Sequence, residues 1–354
     1  YEAVMGIEVN PGMDKSNYRI VFSPEHGTSN IPVRTVLKRL GYDIVPVLSQ
    51  CAPDPDYTNT ASPNPEVEAA YEKAIMKAKE VDADVVVVCD PDGDRLGVVA
   101  KHEGEYVLMS GNQSAAVYLE YILSQMKEKG TLPSNAVMYN TIVTSDLGEL
   151  VARSYGVDVE KTLTGFKFIG DKIRKYEKTN EKQFVFGYEE SYGCVIKDFV
   201  RDKDAVQAVL TAAEVGNYYK KQGKDLIDVL NELYAKHGTF KETQIALSKA
   251  GSTGAERIKE IMSNLREDAP KEIGGYKVTA YEDFQTSVRH DGDAESVIDL
   301  PKSNVLKYYL EDGSWIAARP SGTEPKCKFY FSIKGVDAAD ASNKTEVFQK
   351  DMMN

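Results

Sequence analysis

Three aspartates alternate in the run Asp90-Pro91-Asp92-Gly93-Asp94-Arg95, directly after the apolar stretch Val85–Cys89. In an extended segment, side chains at i, i+2 and i+4 share a side, so Asp90, Asp92 and Asp94 can converge on one point. Three hard oxygen donors of this kind suit Mg²⁺ or a similar cation. An EF-hand loop needs Gly at its sixth position and Glu at its twelfth, where this chain has Arg95 and Lys101. The plainer reading is an acidic turn whose carboxylates cap neighbouring backbone. Repulsion among three alternating carboxylates weighs against it and favours the metal.

Two further loops carry chemistry. In Gly187-Tyr188-Glu189-Glu190-Ser191-Tyr192-Gly193 the adjacent glutamates point to opposite sides, which does not fit the facing acid pair of a glycosidase. Glu189 and Ser191, spaced by two, share a side and can accept from and donate to neighbouring sugar hydroxyls, although an ordinary turn fits as well. In Arg319-Pro320-Ser321-Gly322-Thr323-Glu324-Pro325-Lys326 an arginine, two hydroxyls and a glycine suit a phosphate. A Walker loop is excluded because no Gly-Lys-Ser/Thr follows at the required spacing. Lys326 and Lys328 share one strand face and add positive charge; a hairpin turn with a surface charge is the bland alternative.

These loops need elements to hold them. Strand and helix patterns alternate from Tyr18 onward: strands at Tyr18–Phe22, Asp43–Leu48 and Val85–Cys89, and helices at Pro32–Leu40 and Glu66–Glu80. Five consecutive apolar residues, mostly β-branched, predict a strand covered on both faces. A second α/β unit follows, with helices at Asn112–Lys129, Leu147–Tyr155 and Asp204–Gln222 and strands at Val137–Tyr139 and Phe184–Phe186. After Gly238 the pattern changes to strands at Ile245–Leu247, Lys277–Tyr281, Val305–Tyr309, Trp315–Ala318 and Lys326–Ile333, with a helix at Ala255–Leu265. The expectation is two α/β domains with mixed, mainly parallel sheets, residues 1–110 and 111–237. A smaller α+β domain with a mostly antiparallel sheet, 238–354, completes the chain.

Composition bounds the rest. The 354 residues carry 43 Lys+Arg against 55 Asp+Glu, a net charge of −12, which disfavours a general nucleic-acid binder. No apolar run approaches the roughly 20 residues of a membrane span. Cys51, Cys89, Cys194 and Cys327 lack metal-ligand spacing and read as reduced, mostly buried thiols of a cytosolic protein.

Taken together, DPDGDR, GYEESYG and RPSGTEPKCKFY, in that order, resemble the phosphoglucomutase/phosphomannomutase family, the α-D-phosphohexomutases. The likeness also covers FSPEHGTSN, SPNPE and TLTGFKFIG, and the sugar loop is most like that of the longer bacterial-type phosphoglucomutases. The resemblance implies an isomerase of carbohydrate metabolism in the cytoplasm, an intramolecular phosphotransferase acting on glucose 1-phosphate and glucose 6-phosphate. A phosphoserine would donate to the phosphosugar substrate, with glucose 1,6-bisphosphate as the intermediate. By resemblance, Asp90, Asp92 and Asp94 hold Mg²⁺, and Arg95 helps to position phosphate or sugar. Thr164 and Gly165, with Lys167 beside them, match the specificity loop, while Glu189 and Ser191 match the pair that grips sugar hydroxyls. Arg319, Ser321, Gly322 and Thr323 match the loop for the non-reacting phosphate, with Lys328 as helper. Lys203, in Arg201-Asp202-Lys203-Asp204, matches a lysine near the transferring oxygen and is the candidate proton donor or acceptor, helped if nearby cations lower its pKa.

The family's nucleophile loop reads Thr-x-Ser-His-Asn. Thr60-Ala61-Ser62-Pro63-Asn64 has Pro63 in place of the histidine, so Ser62 or Asn64 reads instead as the cap of the helix that follows. His26 reads as support for its own loop. The chain therefore corresponds to family domains two, three and four. Its expected partner is the missing N-terminal phosphoserine domain, and without that domain no turnover is expected. A mutase for a mannose, pentose or amino-sugar phosphate, and a non-catalytic phosphosugar-binding protein, are the alternative readings.

Overall fold

The computed structural model describes residues 1–248, 253–321 and 325–353. They form two compact units, Tyr1–Leu233 and Tyr234–Asn354.

The first unit contains two sheets. Strands β1 (Arg19–Ser23), β2 (Asp43–Pro46), β3 (Val85–Cys89), β4 (Leu96–His102) and β5 (Glu105–Met109) lie in the order β2-β1-β3-β4-β5. β1 runs parallel to β2 and β3, while β4 and β5 continue the sheet antiparallel. Every residue of β3 is fully buried, as a run of branched apolar side chains between two covered faces requires. After the short α1 (Glu2–Met5), α2 (Asn30–Leu40) ends where Gly41 turns left-handed at φ 89°. α3 (Glu72–Val81) packs Ala74 and Ala78 against Val86 and Val88. The helix expected from Glu66 begins six residues late. Glu68–Tyr71 is a 3₁₀ turn, Tyr71 stands at the helix N-cap without a side-chain capping bond, and Asn64 accepts from the Glu66 amide in a local turn. Ser62 and Asn64 therefore do not cap the helix. Val67, inside the span expected to be helical, lies ahead of the helix and is exposed.

Strands β6 (Ala136–Thr141), β7 (Asp158–Thr162), β8 (Gln183–Tyr188) and β9 (Cys194–Val195) form the second sheet in the order β7-β6-β8-β9, with β9 antiparallel. Helices α4 (Gly111–Glu128), α5 (Asp146–Ser154), α6 (Phe166–Thr179), α7 (Ala205–Lys220) and α8 (Leu226–His237) accompany it. Ser110 and Gln113 close a reciprocal capping box at the start of α4, and Asp204 accepts the Val206 and Gln207 amides at the start of α7.

In the second unit, β10 (Thr239–Ser248), β11 (Glu272–Ile273), β12 (Tyr276–Asp283), β13 (Val288–Asp291), β14 (Ala294–Val297), β15 (Leu306–Leu310), β16 (Trp315–Pro320) and β17 (Lys326–Gly335) pair antiparallel throughout. Helices α9 (Gly254–Glu267) and α10 (Ala338–Met353) bury Ile258, Met262 and Phe348 in the same core as Phe329, Phe331 and Ile333. All four cysteines are free and buried, and no described helix is long and apolar enough to cross a membrane.

One cluster away from the three loops looks like a ligand set: His102, Asp225 and Asp228. Its oxygens are already engaged. Asp225 Oδ1 accepts the Ile227 and Asp228 amides, Asp228 Oδ2 accepts the Asp225 amide, and Asp225 Oδ2 lies 2.8 Å from His102 Nδ1. This is a helix cap tied to β4 by an ion pair. The hydrogen bond to Asp225 raises the His102 pKa above its ordinary value, and burial opposes it. The pair's contribution is thus full below the unfolded value of about 6.5 and is lost as pH climbs through the raised folded one. Melting curves of wild type and His102→Gln across pH 5.5–9 should therefore converge at the alkaline end, with wild type the more stable at the acid end. Parallel curves would show that the pair does not titrate.

Candidate active site

One carboxylate oxygen from each of Asp90, Asp92 and Asp94 lies within 4.8 Å of the others at the carboxyl end of β3. A tight turn brings them there: the Gly93 amide donates to the Asp90 carbonyl at 3.1 Å, with Gly93 at φ 77°. The Asp94 and Arg95 amides donate to Asp90 Oδ1 at 3.1 and 2.9 Å. Asp90 is buried, Asp94 half-buried and Asp92 exposed. Burial pushes the Asp90 carboxyl up to about 7, and Asp92 and Asp94 push the same way against the Arg95 amide. Asp94 Oδ1 is buried without a hydrogen-bond partner. An all-oxygen donor set, crowded with like charge and holding one orphaned oxygen, fits a hard divalent cation.

Lys203 joins this triad to the second loop. Its ammonium lies 3.0 Å from Asp94 Oδ2, 2.9 Å from Asp202 and 4.0 Å from Glu189. Burial acts to lower its pKa, but Asp202, Asp94 and Glu189 outweigh it and the net shift is upward. The neighbours are therefore anions, not the cations that would depress a lysine. Lys203 reaches them because residue 193 is glycine: a Cβ there would sit 2.1 Å from Lys203 Cδ.

The two glutamates of the sugar-type loop diverge as their adjacency requires. Ser191 Oγ donates to Glu189 Oε1 at 2.9 Å. Glu190 Oε2 instead accepts the hydroxyls of Thr141, at 3.0 Å, and Thr144, at 3.3 Å, anchoring the loop to the end of β6. Burial raises the Glu189 pKa and Glu190 adds to it, while Lys203 and Ser191 pull it down. Arg95 lies against both its own loop and Glu66, whose Oε1 it meets at 3.1 Å, with Asp90 and Asp94 at 3.7 and 3.8 Å. The backing role of Glu66 was not read from sequence; the SPNPE stretch that contains it was the available signal.

Thr164 and Gly165 lead into α6, with Gly165 at φ 116°. The first residue of that helix, Phe166, puts its ring 5.5 Å from the Lys203 ammonium, which brings this loop beside the others. Thr164 Oγ1 is buried without a hydrogen-bond partner. Lys167 is exposed, its ammonium 5.0 Å from the Phe168 ring.

In the second unit, Arg319 and Lys328 are directly opposite across the β16–β17 pair and so share a face. Arg319 donates to Tyr330 Oη at 3.1 Å and Lys328 to Gln244 Oε1 at 3.4 Å. Two cations facing each other beside neutral partners favour an anion. The Ser321 amide donates to the Lys326 carbonyl at 2.7 Å. Gly322 and Thr323 lie outside the described residues.

Family profiles match the chain in three segments: the α/β/α domain II of phosphoglucomutase/phosphomannomutase at residues 6–104, α/β/α domain III at 110–237, and the C-terminal domain at 256–347. The chain is 40% identical to a phosphoglucomutase of Staphylococcus epidermidis over 323 residues, covering 90% of the chain and 58% of that protein. Against a Staphylococcus aureus phosphoglucomutase the identity is 38% over 334 residues, 93% of the chain and 59% of the relative. The chain thus spans under two-thirds of the length of these relatives. Among solved structures, pp63/parafusin, a phosphoglucomutase from Paramecium, superimposes with a TM-score of 0.69 at 18% identity, covering 100% of this chain and 61% of that one. A mutase for N-acetylphosphoglucosamine from Aspergillus fumigatus, solved with glucose 1,6-bisphosphate, gives 0.54 at 14%, covering 98% and 62%. These two show the fold.

The divergent glutamates predict divergent stabilities. Thr141 Oγ1 and Thr144 Oγ1 also lie 2.8 Å apart, so Glu190→Ala leaves one of the two buried hydroxyls without an acceptor and should lower the unfolding free energy by about 1–3 kcal/mol in urea denaturation. Glu189→Gln removes a charge that burial already disfavours, and should leave stability unchanged or raised. Equal losses in both variants would contradict the assignment.

Proposed function

Because the chain belongs to the phosphoglucomutase/phosphomannomutase family, we propose that it supplies the cation, sugar and distal-phosphate contacts of a phosphoglucomutase. The division proposed is residues 1–110 for the cation, 111–237 for the sugar and 238–354 for the phosphate. The reaction proposed is the interconversion of glucose 1-phosphate and glucose 6-phosphate through glucose 1,6-bisphosphate, in the cytoplasm. The phosphoserine that exchanges phosphate with the sugar is proposed to lie outside residues 1–354.

The observation that carries this reading is the position of Lys203, within 3.0 Å of Asp94 and 4.0 Å of Glu189. One ammonium there serves a cation cage and a sugar-gripping carboxylate together. Asp90, Asp92 and Asp94 would hold Mg²⁺, whose chemistry is to offset the negative charge on phosphoryl oxygens during transfer. Glu189 and Ser191 orient the sugar through its hydroxyls, Glu189 accepting and Ser191 free to donate once a hydroxyl replaces it at Glu189. When phosphate moves from serine to sugar, the serine–phosphorus bond breaks, the sugar–phosphorus bond forms, and the proton of the sugar hydroxyl passes to the departing serine oxygen. Lys203, held protonated by its carboxylate neighbours, suits the relay in that exchange: it gives its proton to the departing serine oxygen and takes back the one the sugar hydroxyl loses. Arg95, backed by Glu66, faces negative charge at the same place. Thr164 and Gly165, with Lys167 beside them, contribute to substrate choice. Arg319, Ser321, Gly322, Thr323 and Lys328 take the phosphate that does not react.

Calorimetric titration of the chain with glucose 1,6-bisphosphate, with and without Mg²⁺, tests this. Binding should strengthen with Mg²⁺, lose that dependence in Asp92→Ala, and weaken about tenfold in Arg319→Ala, the loss of one charge-assisted phosphate contact. Indifference to both substitutions would refute the site. Turnover of glucose 1-phosphate by the chain alone would refute a nucleophile outside it.

A further inference from the structure

The loop after β1, Pro24–Ser29, has no part in the site described so far, yet it meets the aspartate turn at its closest point. The Thr28 amide donates to the Pro91 carbonyl at 2.9 Å, and Thr28 Oγ1 donates to the Asp92 carbonyl at 3.0 Å. Both donors of one residue therefore engage the two residues that link Asp90 to Gly93. Behind Thr28 the backbones touch. A Cβ on Gly27 would lie 2.3 Å from Pro91 Cα and 2.4 Å from the Pro91 carbonyl oxygen, main-chain atoms that cannot swing aside. On the other side of the contact, a Cβ on Gly93 would sit 2.9 Å from Thr28 Oγ1.

The Pro24–Ser29 loop is itself over-determined. Glu25 and His26 are consecutive non-glycine residues in left-handed backbone conformations, at φ 45° and 62°. Such strain persists only where the surroundings enforce it. Here Glu25 is fully buried and its amide donates to Ser23 Oγ. The His26 amide donates to the Gln50 carbonyl at 2.8 Å, and His26 Nδ1 lies 2.7 Å from the Ala52 carbonyl. A rigid, strained segment pressed against a turn that gathers three like charges has a specific physical use. Left to itself, the turn would relax to separate its carboxylates, and a cation would have to reassemble them at the cost of its own affinity.

We propose that Gly27 and Thr28 are positioning residues for the triad: they hold the Asp90–Asp94 turn in its convergent form before any cation arrives. The proposal rests on the reading of the triad as a divalent-cation site. Thr28 is exposed and reaches no carboxylate, so it acts through the turn alone.

The test uses the chain with Mn²⁺ as a paramagnetic probe, free Mn²⁺ being counted by electron paramagnetic resonance. Hydrogen exchange of the peptide spanning residues 88–96 is followed without metal. Thr28→Val should weaken Mn²⁺ binding about fivefold, the worth of one ordinary hydrogen bond. It should also speed exchange of that peptide by a similar factor while the melting temperature holds, and Thr28→Ser should restore both. Gly27→Ala should do more, at the risk of disturbing the whole loop, which is why Thr28 carries the decision. Unchanged affinity and exchange in Thr28→Val would overturn the positioning role while leaving the cation site standing. A wild-type chain whose Mn²⁺ binding is no better than that of Asp92→Ala would overturn the cation reading and this proposal with it.

Discussion

Like charge gathered in one place is the constraint on which the first unit turns. Asp90 sits at the dry end of a fully buried strand, with Asp92 and Asp94 within 4.8 Å, and its carboxyl is pushed up to about 7. Folding alone does not favour that arrangement, because burial and mutual repulsion both oppose ionised carboxylates. The surrounding structure compensates locally: two amides on Asp90 Oδ1, one ammonium at Asp94 and the guanidinium of Arg95 close by. That leaves three like charges close together and only partly offset, which is the state the proposed cation would relieve.

Main-chain bonds that tie distant segments together keep those compensating groups in place. The Leu96 amide donates to the Tyr192 carbonyl, the Ala205 amide to the Gly93 carbonyl, and the Asp204 amide to the Cys194 carbonyl. The aspartate turn, the Glu189 loop and the start of α7 thus share one backbone network. Lys203 is presented by that network between Asp202 and the N-cap Asp204. Side chains were removed where the network needed room. Gly193 gives space to the Lys203 stem, and Gly111 passes within 2.8 Å, at its missing Cβ, of the Tyr192 amide.

What the sequence revealed and what it hid follow from the range of the interactions. Val85–Cys89 and the helix starting at Asp204 were legible because their signals are local: a branched apolar run, and a capping side chain ahead of an apolar periodicity. The β4–β5 hairpin was not read, since its turn is Glu103-Gly104, at φ 49° and 88°, rather than the Asn-Gly or Asp-Gly pair that announces such turns. Helix α6 was missed as well, because it starts from Gly165 with no capping side chain to mark it. Among candidate site residues, the aspartates were singled out by their spacing, whereas the Glu189–Ser191 spacing fitted an ordinary turn equally well. The surroundings of Lys203 were not: Asp94 is far away in the chain, and nothing in Arg201–Asp204 says that the neighbours would be carboxylates. The anionic setting holds the Lys203 pKa above its ordinary value, and of the two roles left open, donor or acceptor, it favours the donor.

The two units, each taken by itself, carry opposite unmet charge. In the first, three carboxylates converge with one oxygen left without a hydrogen bond. In the second, Arg319 and Lys328 face each other across adjacent strands beside a tyrosine hydroxyl and an amide oxygen. A direct cross-strand pair of cations costs sheet stability. The chain as a whole carries a net charge of −12, so a local pair of cations stands against the overall sign. Each unit taken by itself thus gathers charge of one sign: carboxylates at the aspartate turn, and cations on the face shared by β16 and β17.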